Sequence, residues 1–113
     1  MSRNSQKHKL KIAVLGAGSW GTTLALLLHD NGYRVALWEY FAELARAMDT
    51  ARENKRYLAG IKIPQAIRIT SDLDSALTSA THILFVTPSH TVRGVARSVG
   101  ASPAFDRSCT VVN

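Results

Sequence analysis

Gly16, Gly18 and Gly21 have the spacing of a G-x-G-x-x-G loop, written GAGSWG in this sequence. The apolar run IAVL before them predicts a buried parallel strand, and the leucines after them recur at helical spacing as far as Asn31-Gly32. A glycine loop between a strand and a helix is the context in which this spacing indicates dinucleotide binding. A glycine turn with a purely structural role is the alternative.

Each glycine has a separate physical role in such a loop. Gly16 lets the chain turn sharply out of the strand, Gly18 lets a pyrophosphate approach the backbone, and Gly21 lets the helix pack closely on the strand. The unpaired N–H groups at the start of the helix, together with the helix dipole, favour a bound diphosphate. The sequence therefore predicts a diphosphate at this loop.

Glu39 is the residue that bears on the choice of cofactor. It follows the second apolar run, RVALW, about 20 residues beyond the glycine loop. An acid in that place accepts hydrogen bonds from the adenosine ribose hydroxyls, which favours NAD, and it repels the 2′-phosphate of NADP. The alternative is a solvated acid near the start of the next helix, so both NAD and NADP stay open.

The elements that position these residues alternate between strand and helix. Crossover connections between successive strands predict a doubly wound parallel sheet of the Rossmann type, an α/β fold, with the probable order 3-2-1-4-5. The reversal between the first and fourth strands makes a crevice that receives both the glycine loop and Thr87-Pro88-Ser89. The predicted strands are residues 12–15, 34–38, 67–70, 82–86 and 109–112, and the later helices are residues 41–50, a helix from 71 and residues 91–99.

Residues 51–66 show no regular pattern. At about 16 residues, this connection is longer than usual, and loops of that length tend to be functional or mobile. Tyr57 and Leu58 are expected to hold it against the domain.

The composition predicts one soluble domain over residues 1–113, with residues 1–9 flexible. No apolar run approaches the roughly 20 residues of a membrane span, and the lone Cys109 without a secretory signal favours the reducing cytoplasm. The net charge is +6, but the cations are scattered and no aromatic residues are interleaved with them, so nucleic-acid binding is disfavoured. We expect a solvated surface or a basic rim from Lys7, Lys9, Lys11, Arg46, Arg52, Lys55, Arg56 and Lys62.

No residue of this sequence is named as catalytic or as a metal ligand. The histidines do not have metal-ligand spacing, and nothing in the sequence positions a base for Ser89. His82 opens a buried strand and is expected to be structural, whereas His90 is nearest the predicted crevice. The histidines are His8, His29, His82 and His90.

Four stretches, taken together, resemble the N-terminal half of NAD(P)-dependent glycerol-3-phosphate dehydrogenase of the bacterial type. The resemblance covers about residues 10–113, and the Ser-Trp pair inside the glycine loop is more specific than the glycines. Thr87 departs from the family, in which a small apolar residue or valine is commoner. The four stretches are KIAVLGAGSWGTTLALLL, VALW, RENKRYLAGIKIP and FVTPS.

The resemblance implies roles for several residues. Ser19 and Trp20 would contact the cofactor diphosphate, and Tyr40 would lie near the adenosine ribose, at a position that is often basic in members using NADPH. Glu39 departs from the family, which often has a small residue there, in the direction of NAD. Tyr57 corresponds to an aromatic residue of the long loop. The ribose and nicotinamide side would be lined by Pro88 and Ser89.

The resemblance also implies an activity for the full-length parent protein, the reduction of dihydroxyacetone phosphate to sn-glycerol 3-phosphate for phospholipid synthesis. In the family, a lysine that binds cofactor and substrate follows the fifth strand, and a helical C-terminal domain follows it. Both are expected to lie beyond Asn113, so the segment alone should bind the cofactor without turnover. The apolar surface for a second domain could also allow a homodimer.

Two other interpretations stay open. One is the N-terminal domain of a related 2-hydroxyacid or ketopantoate-type reductase, which Ser19-Trp20 and the RENKRYLAG stretch disfavour. The other is a stand-alone dinucleotide sensor that binds without catalysis.

Overall fold

The computed structural model describes residues 10–113, so the prediction of a flexible leader over residues 1–9 lies outside the described part. Strands and helices alternate along the chain, with a short hairpin in the middle. In chain order the elements are β1 (Lys11–Leu15), α1 (Ser19–Asp30), β2 (Arg34–Trp38), α2 (Ala42–Ala51), β3 (Glu53–Asn54), β4 (Leu58–Lys62), β5 (Arg68–Thr70), α3 (Leu73–Leu77), β6 (His82–Phe85), α4 (Ser89–Ala101) and β7 (Thr110–Val112).

Five strands form one parallel sheet in the order β5-β2-β1-β6-β7. Since β3 and β4 form a separate hairpin, this order is the predicted 3-2-1-4-5 of a Rossmann-type fold, and the prediction is confirmed. Leu15 lies opposite both Trp38 and Phe85, so β1, β2 and β6 end at one level. The connection after β1 and the connection after β6 therefore meet at the carboxyl end of the sheet.

The two faces of the sheet are covered by different helices. The side chains alternate along each strand, so that one face packs against α1 and α2 and the other against α3 and α4. The first face contains Ile12, Val14, Val35, Leu37 and Ile69 with Ala25, Ala45 and Met48. The second contains Ala13, Leu15, Ala36, Trp38 and Ile83 with Ala76, Leu77, Val95 and Val99.

The interpretation of residues 51–66 as an irregular loop is wrong, because an antiparallel hairpin of β3 and β4 lies within them. The sequence hides this hairpin for a physical reason. Strand β3 has two residues, and β4 is exposed along most of its length, so neither strand shows the alternation of a half-buried strand. Gly60, at a φ of +85°, lies within β4, and its N–H donates to Glu53 Oε2 at 3.0 Å.

Arg52 joins α2 to the segment that follows the hairpin. The sequence suggests a solvated cation here, but only 4 % of Arg52 is exposed, and its φ of 53° ends α2 in the left-handed region. Its guanidinium donates to the carbonyl oxygens of Ile63, Pro64 and Ile67 at 3.3, 2.5 and 2.6 Å and to Asp49 Oδ1 at 2.7 Å. Four hydrogen-bond acceptors thus compensate the buried charge, which is the condition for burying it.

The later elements differ from the predicted bounds by one or two residues. Helix α4 begins at Ser89 rather than Thr91 and continues through Gly100, and β7 begins at Thr110 rather than Cys109.

Among residues 10–113, no helix combines the length and the apolar character needed to cross a bilayer.

We expect Arg52→Met to lower the free energy of unfolding by about 3 kcal/mol, since it removes the donors from three carbonyl oxygens and leaves them buried. Arg46→Met on the exposed side of the same helix is the matched control and should change stability by less than about 0.5 kcal/mol. Urea denaturation followed by circular dichroism measures both. Equal midpoints for the two variants would contradict this account of Arg52.

Candidate functional site

The glycine loop lies against the chain that leaves β6. Gly16 has a φ of +126°, and a Cβ built on it would lie 2.8 Å from the carbonyl carbon and oxygen of Val86 and 2.9 Å from the backbone nitrogen of Thr87. The N–H of Gly16 donates to the carbonyl oxygen of Trp38 at 3.0 Å. Any other residue at position 16 would therefore push the glycine loop away from the backbone that follows β6.

Gly21 and Gly18 serve different purposes in the loop. A Cβ on Gly21 would overlap the carbonyl oxygen of Gly16, so Gly21 is needed for α1 to start directly against the loop. A Cβ on Gly18 would meet nothing within 4 Å. Packing of this chain therefore requires Gly16 and Gly21, whereas the open space beside Gly18 remains for a ligand.

The N-terminus of α1 offers its N–H groups to that space. Gly18 is the N-cap residue; among the described side chains none caps this helix end, and its first turn contains no acidic residue. An uncapped helix of 12 residues has unsatisfied N–H groups and the positive end of its dipole at this point. This geometry suits an anionic group such as a diphosphate.

Asn54 is a part of the site that sequence reasoning missed. Only 2 % of it is exposed, and its Nδ2 donates to the carbonyl oxygen of Ala17 at 2.8 Å and to Thr22 Oγ1 at 2.9 Å. Its Oδ1 accepts the N–H of Tyr57 at 3.2 Å. Asn54 thus fastens the hairpin to the glycine loop. The sequence indicates Asn54 only through its place in RENKRYLAG, part of one of the four stretches that carry the family resemblance.

A cavity of about 190 Å³ lies between the glycine loop, the end of β2, helix α2 and the hairpin. Two of the residues predicted to bind the cofactor, Glu39 and Tyr57, line this cavity together with Ala17 of the glycine loop. The other lining residues are Leu44, Ala47, Met48, Ala51, Glu53, Asn54, Lys55 and Arg56. The volume is below the 300 to 1,000 Å³ of sites that enclose a whole drug-sized ligand, so it suits one end of an extended molecule.

Glu39 is half-buried at the mouth of this cavity. Its Oε2 accepts the N–H of Phe41 at 2.8 Å, and its own N–H donates to the carbonyl oxygen of Thr70 at 2.9 Å. Oε1 makes no hydrogen bond with any residue in the range 10–113, so the carboxylate is held in place with one acceptor oxygen left over. Glu39 thus lines the cavity and lies two residues before Phe41, the N-cap residue of α2, a position that is compatible with either predicted role.

Tyr40 and Tyr57 sit differently with respect to this cavity. Tyr40 is 69 % exposed and packs edge-on against Trp38 and Phe41, with ring centroids 6.1 and 5.1 Å apart, and it does not line the cavity. Tyr57 does line it, and the Arg56 guanidinium lies 5.2 Å from the centre of its ring. The hairpin aromatic is therefore better placed than Tyr40 to cover a ligand in the cavity.

Ser19 and Trp20 form the exposed first turn of α1. Trp20 is 61 % exposed, and the carbonyl oxygen of Ser19 accepts Thr23 Oγ1 at 2.7 Å. A tryptophan this exposed gains little from packing within this chain. Both residues directly follow Gly18, the N-cap residue of this helix.

Thr87, Pro88 and Ser89 follow directly after β6, at the end of the sheet where β1 and β6 stop together. Pro88 caps the N-terminus of α4 and Ser89 is its first residue; both are exposed. Thr87 Oγ1 is buried and has no hydrogen-bond partner among the described residues. An orphaned buried hydroxyl is costly. Thr87, which the sequence placed in the predicted crevice and which departs from the family, is therefore a polar group that the described residues leave unsatisfied.

The remaining reactive side chains of residues 10–113 make local contacts only or lack a metal-binding arrangement. No cluster of three His, Cys, Asp or Glu side chains there could hold a metal ion. His82 Nδ1 lies 2.9 Å from Thr81 Oγ1, a local structural contact. Burial, with a smaller contribution from the charge of Asp106, raises the pKa of the Cys109 thiol, which leaves it a weak nucleophile.

Gly21→Ala should lower the free energy of unfolding by more than about 2 kcal/mol, because the added methyl group overlaps a backbone oxygen that cannot move freely. Gly18→Ala is the matched control: its methyl group enters open space at a φ of −72°, and the stability change should stay within about 1 kcal/mol. Thermal and urea unfolding measure both. The reverse ranking would show that the loop packs differently.

Comparisons with known proteins agree with this fold and loop. Residues 11–112 match the family described as NAD-dependent glycerol-3-phosphate dehydrogenase N-terminus. A glycerol-3-phosphate dehydrogenase [NAD(P)+] of Stenotrophomonas maltophilia is 52 % identical over 101 residues, covering 84 % of this chain and 30 % of that protein. One from Moorella thermoacetica is 46 % identical over 105 residues, covering 93 % and 31 %.

The crystal structure of a glycerol-3-phosphate dehydrogenase from Coxiella burnetii superimposes with a TM-score of 0.83 at 37 % identity, over 92 % of this chain and 31 % of that one. The chain thus spans about a third of the length of these relatives. With a family match that extends over nearly all of its residues, the chain belongs to the family of the NAD-dependent glycerol-3-phosphate dehydrogenase N-terminus.

Proposed function

We propose that residues 1–113 are one dinucleotide-binding domain, in which the diphosphate of a nicotinamide cofactor lies on the N-terminus of α1. The observation that carries this proposal is the uncapped helix start beside Gly18, where a side chain would meet only open space. Backbone N–H groups and the helix dipole would hold the diphosphate there. Ser19 and Trp20 would flank it on the exposed first turn.

The adenosine end of the cofactor would enter the cavity between α2 and the hairpin. Leu44 and Met48 give that cavity an apolar wall, and Tyr57 would cover the bound group. The remaining acceptor oxygen of Glu39 would bind the ribose hydroxyls. Tyr40 would lie on the outer rim, near the ribose.

NAD is the cofactor that this arrangement favours over NADP. A 2′-phosphate beside Glu39 would meet a like charge on a half-buried carboxylate that Phe41 holds in place. Lys55 and Arg56 line the same cavity and would favour a phosphate, but both are exposed, so solvent and salt screen their charges more strongly. The charge of Glu39 would therefore outweigh theirs.

The nicotinamide end would lie along Pro88 and Ser89. The end of β6 supports this placement, because the residues after it lie at the same end of the sheet as the glycine loop and against Gly16. When bound, the nicotinamide supplies a hydride. The residues of this chain would bind and orient it.

The parent protein would reduce dihydroxyacetone phosphate to sn-glycerol 3-phosphate in the cytoplasm, supplying phospholipid synthesis. The names of the matched relatives and the family match support this assignment. The 113 residues alone would bind the cofactor without turnover, since the resemblance implies that a lysine binding cofactor and substrate follows the fifth strand. Binding of the small phosphorylated substrate would then depend on surfaces beyond the cofactor site. Assembly of a homodimer would also use such surfaces.

Calorimetric titration of the chain with NADH and NADPH tests the cofactor site. NADH should bind more tightly, and Glu39→Gln should reduce its advantage over NADPH about tenfold, or about 1.4 kcal/mol, since it removes the repelling charge. Glu43→Gln in the exposed first turn of α2 removes the same charge outside the cavity and should leave the ratio unchanged. Gly18→Ala, despite its near-native stability, should abolish binding of both cofactors.

Tighter binding of NADPH by the unmodified chain would contradict the role given to Glu39. Equal affinity of the Gly18→Ala variant would contradict the position of the diphosphate.

An assay of NADH oxidation with dihydroxyacetone phosphate tests whether these 113 residues bind the cofactor without catalysing the reaction. The 113-residue chain should show no oxidation above the rate without protein, while the full-length parent should turn over. Oxidation by the chain would place catalytic groups within these residues. NADH binding by a full-length parent without any turnover would instead favour a dinucleotide sensor.

A further inference from the structure

A second cavity, of about 620 Å³, lies at the amino end of the sheet, opposite the glycine loop. Strands β1, β2 and β5 form one wall, and helix α3 with the residues after it forms the other. The volume lies within the range of small-molecule sites. The lining residues are Lys11, Arg34, Val35, Ala66, Arg68, Asp72, Asp74, Ser75, Thr78 and Ser79.

Strand register brings three cations to this wall. Lys11 is paired with Arg34 across β1 and β2, and Arg68 is paired with Ala36, two residues along the same face of β2 from Arg34. Side chains of paired residues, and of residues two apart, point to the same side of a sheet. All three cations therefore lie on the face that α3 covers.

Lys11 is the anchored member of this group. Only 8 % of it is exposed, and its Nζ donates to the carbonyl oxygens of Thr78 and Ser75 at 2.8 and 3.1 Å, at the C-terminal end of α3. Burial lowers its pKa first, and the charges of Arg34 and Arg68 lower it further. The three positive charges thus repel one another and gain from any anion that joins them.

The two arginines have unused donors. Within the described part of the chain, neither the Arg34 nor the Arg68 guanidinium has a hydrogen-bond or ion-pair partner. A planar guanidinium with free N–H groups matches the oxygens of a phosphate. The facing wall has short side chains, Ser75 and Ser79 among them, which explains why the space between the walls stays open.

Two carboxylates also line the cavity, and neither pairs with these cations. Asp72 Oδ1 accepts the N–H of Ser75 at 3.3 Å, capping α3, and Asp74 Oδ1 accepts Ser102 Oγ at 2.5 Å. Both side chains are thus engaged on the helix side of the cavity. The strand side keeps its positive charge.

We propose that this cavity binds a small oxyanion, a phosphate or the phosphate group of a small molecule, between Arg34, Arg68 and Lys11. It lies at the amino end of the sheet and the diphosphate position at the carboxyl end, so the two sites are separate and this inference does not depend on the proposed function.

Titration of the ¹⁵N-labelled chain with inorganic phosphate, at constant ionic strength and with saturating NADH present, tests the site by NMR. Saturable shifts are expected at the amides of Ser75, Thr78 and Ser79 and at the side-chain Nε–H groups of Arg34 and Arg68. The double variant Arg34→Gln/Arg68→Gln should weaken phosphate binding at least tenfold. The matched control, Arg93→Gln/Arg97→Gln on exposed positions of α4, removes the same charge and should keep the unmodified affinity.

Because both substitution sites are exposed, the variant should fold, and its dispersed spectrum verifies this. Shifts that do not saturate, equal shifts with chloride, or equal weakening in the control variant would overturn the proposal. Shifts confined to residues 16–21 would also overturn it, and would show phosphate at the glycine loop instead. The NMR shifts caused by NADH and by phosphate are expected at different residues. Absence of the NADH shifts would therefore contradict only the proposed dinucleotide site.

Discussion

The close approach of three backbone segments at Gly16 is the constraint on which the carboxyl end of the sheet depends. The carbonyl oxygen of Gly16 occupies the place of a Cβ on Gly21, and the Cα of Gly16 lies against the backbone of Val86 and Thr87. Only residues without side chains permit this packing. It places the start of α1 at the level where β1, β2 and β6 end, so the N–H groups of the helix face the crevice between the strands.

The hairpin completes the site through buried polar groups rather than through an apolar core. Arg52 anchors its base by four hydrogen bonds, and Asn54 anchors its first strand to the glycine loop. Such bonds are directional, and an unpaired member would be costly, so they hold one geometry where a small apolar contact would allow several. The residues of the hairpin that carry Lys55, Arg56 and Tyr57 are thereby held over the adenosine-side cavity.

Charge is distributed differently at the two ends of the sheet. At the carboxyl end the favourable field for an anion comes from the helix terminus, with Glu39 opposing it at one place. At the amino end it comes from side chains that the strand register gathers on one face. Three cations that are scattered in the sequence, Lys11, Arg34 and Arg68, thus come together in three dimensions, and the sequence itself shows no such cluster.

The sequence by itself determined the alternation of strands and helices, the strand order and the position of the glycine loop, because these follow from local periodicity, glycine geometry and crossover handedness. Lys11 and Arg52 show where that reasoning stops: both looked like solvated cations, and both are buried. Their partners are carbonyl oxygens 11 to 67 residues away, apart from Asp49 in the adjacent turn of α2. The hairpin, the joining of Asn54 to Ala17 and the cation cavity were likewise decided only by tertiary structure. Each depends on hydrogen bonds or strand register between distant segments, which leave no periodic pattern in the chain.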